Sequence, residues 1–149
     1  MFNNLLIATD GSALGDKALA AGLELAKLHA AKVTILTSTD PVSGAIGAGG
    51  FGTIDAASIL VQLEARYVEE AQTILAAAAG KAEQAGIAAQ TLHLPRLRPA
   101  DAIIQTATDL GCDTIVMGSH GRRGFERLLL GSQAAEVLAR AGVAVLIVK

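Results

Sequence analysis

Leu5-Leu6-Ile7-Ala8-Thr9-Asp10-Gly11-Ser12, then a helical pattern from Ala13 to Ala30, then Val33-Thr34-Ile35-Leu36-Thr37, is the stretch whose reading decides the fold. The run from Leu5 to Ala8 is apolar on both faces, which suits a strand in the middle of a parallel sheet. Thr9-Asp10-Gly11 ends that run as a turn. Ser12 can cap the next helix, because a serine hydroxyl accepts from the free N–H groups of a first turn. Leu14, Ala18, Gly22, Leu25 and Ala26 fall roughly on one face of that helix, and Lys27 and His29 near its end complement its dipole. A strand, a helix and a second strand of this type make one crossover unit of a parallel sheet.

The same alternation continues outward. Asp40-Pro41 stops the second strand, and Ser43 to Gly52 reads as a flexible loop, since its glycines have too many backbone states to order cheaply. A long helix is expected from about Asp55 to Gln84, because Leu60, Leu63, Tyr67, Ala71, Ile74, Ala78 and Ala82 recur every three or four residues. Gly86 ends it. Ala89 to Leu94 is a third strand. Pro99 then fits the first turn of a third helix, with Asp101 near its positive end and a stop at Gly111. Thr114 to Met117 reads as strand four, Ser132 to about Ala141 as helix four, and Val143 to Val148 as strand five. The expected fold class is α/β: a five-stranded, parallel, open, Rossmann-like sheet sandwiched by helices, in one domain over residues 1–149.

Composition narrows the function classes. The chain has 149 residues, 52% hydrophobic and 17% charged, which is globular in character and enough for one good core. No apolar run approaches the roughly 18–20 residues of a membrane span. The opening Met-Phe-Asn-Asn-Leu-Leu-Ile has neither a basic region nor a small-residue cleavage site, so no signal peptide is expected. A single cysteine, Cys112, excludes an internal disulfide, suits a reducing cytoplasm, and reads as a small buried residue. A net charge of −2, no Trp and one Tyr argue against nucleic-acid binding.

Ligands of open parallel sheets sit beyond the carboxyl ends of the strands, near the point where strand order reverses. Two loops belong there: Thr9-Asp10-Gly11-Ser12, and Met117-Gly118-Ser119-His120-Gly121 running on through Arg122 to Gly131-Ser132. Backbone N–H groups hold a triphosphate well, and close approach of backbone to phosphate favours residues without a Cβ. Gly118 and Gly121 would supply that approach. Gly131-Ser132 would open helix four, whose free N–H groups and dipole make an anion site. The Ser132 hydroxyl can cap that helix or donate to a phosphate oxygen. The competing explanation is that these glycines serve only a tight loop and a helix start.

The segment from Thr114 to Lys149 resembles the C-terminal signature of the universal stress protein family, in which Gly-x2-Gly-x9-Gly-Ser/Thr marks the members that bind ATP. Gly118, Gly121, Gly131 and Ser132 occupy all of its positions. Leu6-Ile7-Ala8-Thr9-Asp10-Gly11-Ser12 is similar to the family's first strand and turn, as is Arg98 to Ile103 to a later stretch, although Leu97 stands where a glycine is usual. The likeness covers the chain except for the glycine-rich loop and the long helix. It implies a fold like that of the adenine nucleotide alpha hydrolases and an ATP ligand, with Mg2+ or Mn2+ where a metal is present. It further implies that Asp10, with the backbone at Ala8 and Thr9, meets the adenosine, and that Asp10 helps hold the metal. Thr37 to Thr39, Ser38 among them, would lie along the adenine through the backbone. Met117 and Gly118 would line the ribose and α-phosphate, within the loop that includes Ser119 and His120. Gly121, Gly131, Ser132 and Gln133 would surround the phosphates.

Other features weigh less. Gly47 to Gly52 matches Gly-x-Gly-x-x-Gly, but it does not sit in the turn straight after a strand, so a flexible loop is the better reading. His120 could touch phosphate or act as an acid, with loop-holding the favoured role. Arg122, Arg123 and Arg127 could reach phosphate or stay solvated. His29 and His93 lack partners at metal spacing. The last strand is apolar on both faces and no helix follows it. As a sheet edge it would pair with a second copy in a two-fold homodimer through Val143 to Val148, which the family resemblance also implies. The expected function is an ATP-binding, nucleotide-dependent regulatory or stress-response protein, with slow hydrolysis allowed. The alternative is a nucleotide-free dimeric adaptor.

Overall fold

The computed structural model describes residues 1–42, 56–121 and 130–149. In chain order the elements are β1 (Asn4–Ala8), α1 (Ala13–His29), β2 (Lys32–Thr39), α2 (Ala56–Gln84), β3 (Ala89–Pro95), α3 (Pro99–Asp109), β4 (Thr114–Gly118), α4 (Ser132–Arg140) and β5 (Ala144–Val148). The strands form one sheet in the order β3-β2-β1-β4-β5, and each neighbouring pair is parallel. The expected alternation and fold class are therefore as observed. The glycine-rich loop from Ser43 to Gly52 and the arginines at 122, 123 and 127 lie outside the described residues.

β1 is central, with Leu5, Leu6 and Ile7 each 0% exposed. Its side chains alternate between two cores. Leu5 and Ile7 join α1, α2, Val33, Ile35 and Val116 on one face. Leu6 joins α3, α4, Leu36, Ile115 and Met117 on the other. A polar side chain on either face of β1 would be stranded in apolar surroundings, which is why the whole run reads as hydrophobic.

Local signals fix the ends of the helices. The Ser12 hydroxyl accepts from Gly15 N at 3.0 Å and caps α1 as expected. α1, α2 and α3 all end on a left-handed residue, at Ala30, Gly86 and Gly111. In each, the next N–H reaches back five residues: Ala31 to Ala26 O, Ile87 to Ala82 O and Cys112 to Ala107 O. That Schellman closure turns each helix straight into the following strand. The buried face of α1 is Gly15, Ala18, Leu19, Gly22, Leu23 and Ala26, so the stripe is rotated from the one expected, leaving Leu14 and Leu25 at its margin. β2 also runs past Thr37, because Ser38 and Thr39 pair with Leu94 and Pro95 of β3. Cys112 is 3% exposed, and burial beside Asp113 raises its thiol pKa, so it is a core residue.

Gly22 shows how tightly α1 sits on the sheet: a Cβ there would stand 2.6 Å from Ile7 Cδ1 and 2.9 Å from Ile7 Cγ1. Gly80 in α2 meets nothing within 4 Å. The same substitution should therefore act with opposite sign at the two sites. Gly80→Ala gains about 1 kcal/mol from helix propensity. Gly22→Ala loses about 1–3 kcal/mol to overpacking against a fully buried strand, net of that gain. Urea unfolding midpoints check both, and equal signs would contradict the close α1–β1 contact.

Candidate functional site

The sheet's strand order reverses between β1 and β4: the chain builds outward to β2 and β3, then crosses back to β4 and β5. At that point, beyond the carboxyl ends of the strands, lies a cavity of about 650 Å3. Its floor is the strand ends, Ala8 to Asp10, Leu36 to Asp40, and Met117-Gly118. α2 supplies one wall through Tyr67, Glu70, Ala71 and Ile74, and α3 another through Arg98, Pro99 and Ile103. The first turn of α4 closes the far side.

The structure brings nearly all the sequence-derived candidates together here. Ala8, Thr9, Asp10, Ser38, Met117 and Gly118 line the cavity, as do His120, Gly121, Gly131, Ser132 and Gln133. Ser119 does not. It is 4% exposed and ties the loop: its N–H donates to Val148 O, its carbonyl accepts from Gly131 N, both at 2.8 Å, and its Oγ lies 3.1 Å from His120 Nδ1. His120 is thus held by hydrogen bonding, as favoured from sequence, while still facing the cavity.

Asp10 belongs to a tight turn. Its Oδ1 accepts from Ser12 N at 3.0 Å, and Thr9 Oγ1 accepts from Gly11 N at 3.2 Å. The Thr9 N–H donates to Leu36 O at 3.0 Å and so belongs to the sheet. Gly121 comes up against this turn from the other loop, where a Cβ would stand 3.1 Å from Asp10 Oδ2. At Gly131 the constraint is harsher. A Cβ there would lie 2.8 Å from Ser119 O, a backbone atom that cannot swing away. Gly131 thus serves the closure of the loop, and Gly121 keeps the space between the loop and the Asp10 carboxylate open.

The helix N-termini around the cavity differ in how their N–H groups are used. α1 has the Ser12 cap. In α3, Ala100 N donates to Gln133 Oε1 at 3.0 Å, so a side chain from α4 satisfies α3. α4 has Gly131 as N-cap residue and no side-chain cap at all. Ser132 is its first helical residue and not its cap, which removes that expected role, because a hydroxyl capping a helix must precede the first turn. The first turn of α4 is thus the one beside the cavity that no side chain caps. Gln133, expected at the phosphates, has its carbonyl oxygen engaged by α3.

Sequence reasoning did not find the α2 and α3 walls. Tyr67, Ala71 and Ile74 belong to an apolar stripe in the sequence, but a helical period cannot say which turns of a buried face border a cavity and which border a core. Thr39 also lines the cavity, with its hydroxyl 3.1 Å from His93 Nε2. Burial pushes the His93 imidazole below its ordinary pKa, so it is neutral at pH 7 and can pair with that hydroxyl. Among the described residues no group of three or more His, Cys, Asp or Glu could hold a metal ion unaided. Asp10 alone fits Mg2+ or Mn2+ only as one ligand beside phosphate oxygens, which is how Mg2+ is usually held.

Known proteins with this sequence pattern and fold are consistent with one another. The chain is 31% identical to the universal stress protein YxiE of Bacillus subtilis, over all of both chains. It is 34% identical to the universal stress protein MJ0531 of Methanocaldococcus jannaschii, over all of this chain and 83% of that one. The solved structure of MJ0577 superposes with a TM-score of 0.84 at 26% identity, covering 100% of this chain and 96% of that one. Two more distant structures share the fold: a universal stress protein in complex with cAMP (TM-score 0.68, 24% identity, 97% and 94% coverage), and one from Archaeoglobus fulgidus in complex with dAMP (TM-score 0.66, 22% identity, 99% and 98% coverage). The model of the universal stress protein family matches residues 1–149, and with those relatives over its full length the chain belongs to that family.

Proposed function

We propose that this chain binds ATP in the cavity at the β1–β4 reversal and acts as a nucleotide-dependent regulatory protein of the stress response. The observation that carries this is a convergence around one cavity: the Asp10 turn, the Gly118–Gly121 turn and the uncapped first turn of α4. The adenine and ribose fit the more apolar side, between Leu36, Ile74, Ile103 and Met117, with the backbone at Ser38 alongside. The phosphates fit the other side, over Gly121 and the N–H groups opening α4. That two fold relatives bind cAMP and dAMP supports an adenine nucleotide at this place. A bound Mg2+ or Mn2+ would neutralise phosphate charge; Asp10 would be its protein ligand. Holding is favoured over cleaving, because His120 is tied back to Ser119 and no other histidine lines the cavity among the described residues.

We further infer a homodimer through β5. It is an edge of the sheet, and Leu146 at its middle is 39% exposed. An edge strand with bare N–H and C=O groups is closed most simply by a two-fold copy of itself. This contact is also what a nucleotide-free adaptor would use, so it does not separate the two functions. Ligand binding does: purified protein that releases no adenine nucleotide on denaturation, and gains no thermal stability from ATP with Mg2+, would sink the nucleotide proposal.

Gly121→Val should weaken ATP binding by at least about tenfold, or about 1.4 kcal/mol, in titration calorimetry while leaving the unfolding midpoint nearly unchanged. Gly131→Val should lose stability as well, because its new Cβ meets the Ser119 carbonyl. If Gly121→Val destabilised the protein as much as Gly131→Val, Gly121 would serve the fold and not the ligand. Asp10→Asn keeps the hydrogen bond to Ser12 and removes the charge; ATP affinity should then no longer differ between Mg2+ and EDTA. A dependence on Mg2+ as strong as the parent's would take Asp10 out of the metal's shell. Leu146→Glu should give a monomer in sedimentation velocity, and an unchanged dimer would move the interface away from β5.

A further inference from the structure

Arg98 lines the cavity, yet neither the glycine spacing nor the β1 turn points to it. It is the N-cap residue of α3 and gives that helix no side-chain cap. Its guanidinium instead bonds Glu136 on α4 through Nη2, and its Nε stands 3.9 Å from Asp101 Oδ2. Arg140 completes the group, with Nη1 2.8 Å from Asp101 Oδ1 and 2.6 Å from Glu136 Oε1. Two cations and two carboxylates thus alternate across the α3–α4 seam.

Among the described residues that line the cavity, Arg98 is the one arginine or lysine. The first turn of α4 offers only N–H donors and a partial positive charge. A full positive charge within reach has to come from a side chain. Glu136 lies four residues beyond Ser132, a rise of roughly 6 Å along α4. The Ala100 N–H bonds Gln133 Oε1 at 3.0 Å, so the start of α3, which carries Arg98, lies beside the first turn of α4 and the guanidinium has a short path from Glu136 to an anion there.

We propose that Arg98 reads phosphate chain length: it leaves Glu136 for the outer phosphates of a nucleoside polyphosphate and sets the preference for triphosphate over monophosphate. The inference rests on the nucleotide reading above. Three physical points favour the exchange. Arg98 is 52% exposed, and ion pairs so exposed are weak and screened by salt. Its planar fork matches phosphate oxygens bidentately and can bond two at once. Glu136 keeps Arg140 when Arg98 leaves, so no carboxylate is stranded.

The test is calorimetric titration of the full chain with ATP and with AMP, both in Mg2+, for the parent, Arg98→Gln and Glu136→Gln. Arg98→Gln should lower ATP affinity by about tenfold and leave AMP affinity unchanged. Glu136→Gln removes the competing carboxylate, so ATP affinity should rise by about threefold, again with AMP unchanged. Equal losses for ATP and AMP in Arg98→Gln, or no loss in either, would overturn the proposal while leaving nucleotide binding intact. Should Arg98→Gln fail to fold, an unchanged ATP affinity in Glu136→Gln would overturn the exchange by itself. A parent protein that binds neither nucleotide would refute the nucleotide reading and this inference together.

Discussion

β1 is held by its neighbours on both edges and by apolar side chains on both faces, and the other elements take their places from it. Its register with β2 sets Ala8 opposite Leu36, and its register with β4 sets Ile7 opposite Val116. Because all three strands run the same way, their carboxyl ends finish together and their exit loops rise from one level. Reversal of the strand order at β1 and β4 then leaves a gap between those loops that no crossover helix covers. The cavity follows from the topology before any binding residue is considered.

What fills the rim of that gap is a division of labour among helix starts. α1 and α3 each have one first-turn N–H bound by a side chain, Ser12 and Gln133 respectively, while α4 has no side-chain cap. An unsatisfied first turn costs little where solvent or an anion can reach it, and much where it is buried. α4 opens onto the cavity, so its missing cap is tolerated. Loop closure at its start depends on Gly131, whose backbone passes too close to the Ser119 carbonyl for any side chain. The charge group of Arg98, Asp101, Glu136 and Arg140 lies along the same seam.

Much of this was legible in the chain. The two-faced apolar run at Leu5 to Ile7 marked a central parallel strand, and Ser12, Gly86, Pro99 and Gly111 marked helix ends, because each acts through its own backbone or its nearest neighbours. The glycine spacing from Gly118 to Gly131 and the Asp10 turn pointed to two loops that the fold brings to one cavity. What the linear order does not show is where α4 begins and which partners its first side chains meet. Ser132, one of whose two expected roles was to cap α4, is instead its first helical residue. Gln133 lines the cavity, and its amide oxygen also accepts from the Ala100 N–H at the start of α3.

The sequence by itself determined the parallel α/β fold, its strand and helix order, and the loops that carry Asp10 and the signature glycines. These are written in short-range patterns: period, turn chemistry and capping act within a few residues. Only the tertiary structure decided that Tyr67 to Ile74 of α2 and Arg98 of α3 form walls of the same cavity, that Ser119 ties the loop instead of lining that cavity, and that Arg98 is the one arginine or lysine among its described lining residues. Those facts depend on which elements the sheet brings side by side. Such partners lie on separate elements of the chain, and no local pattern encodes the distance between them.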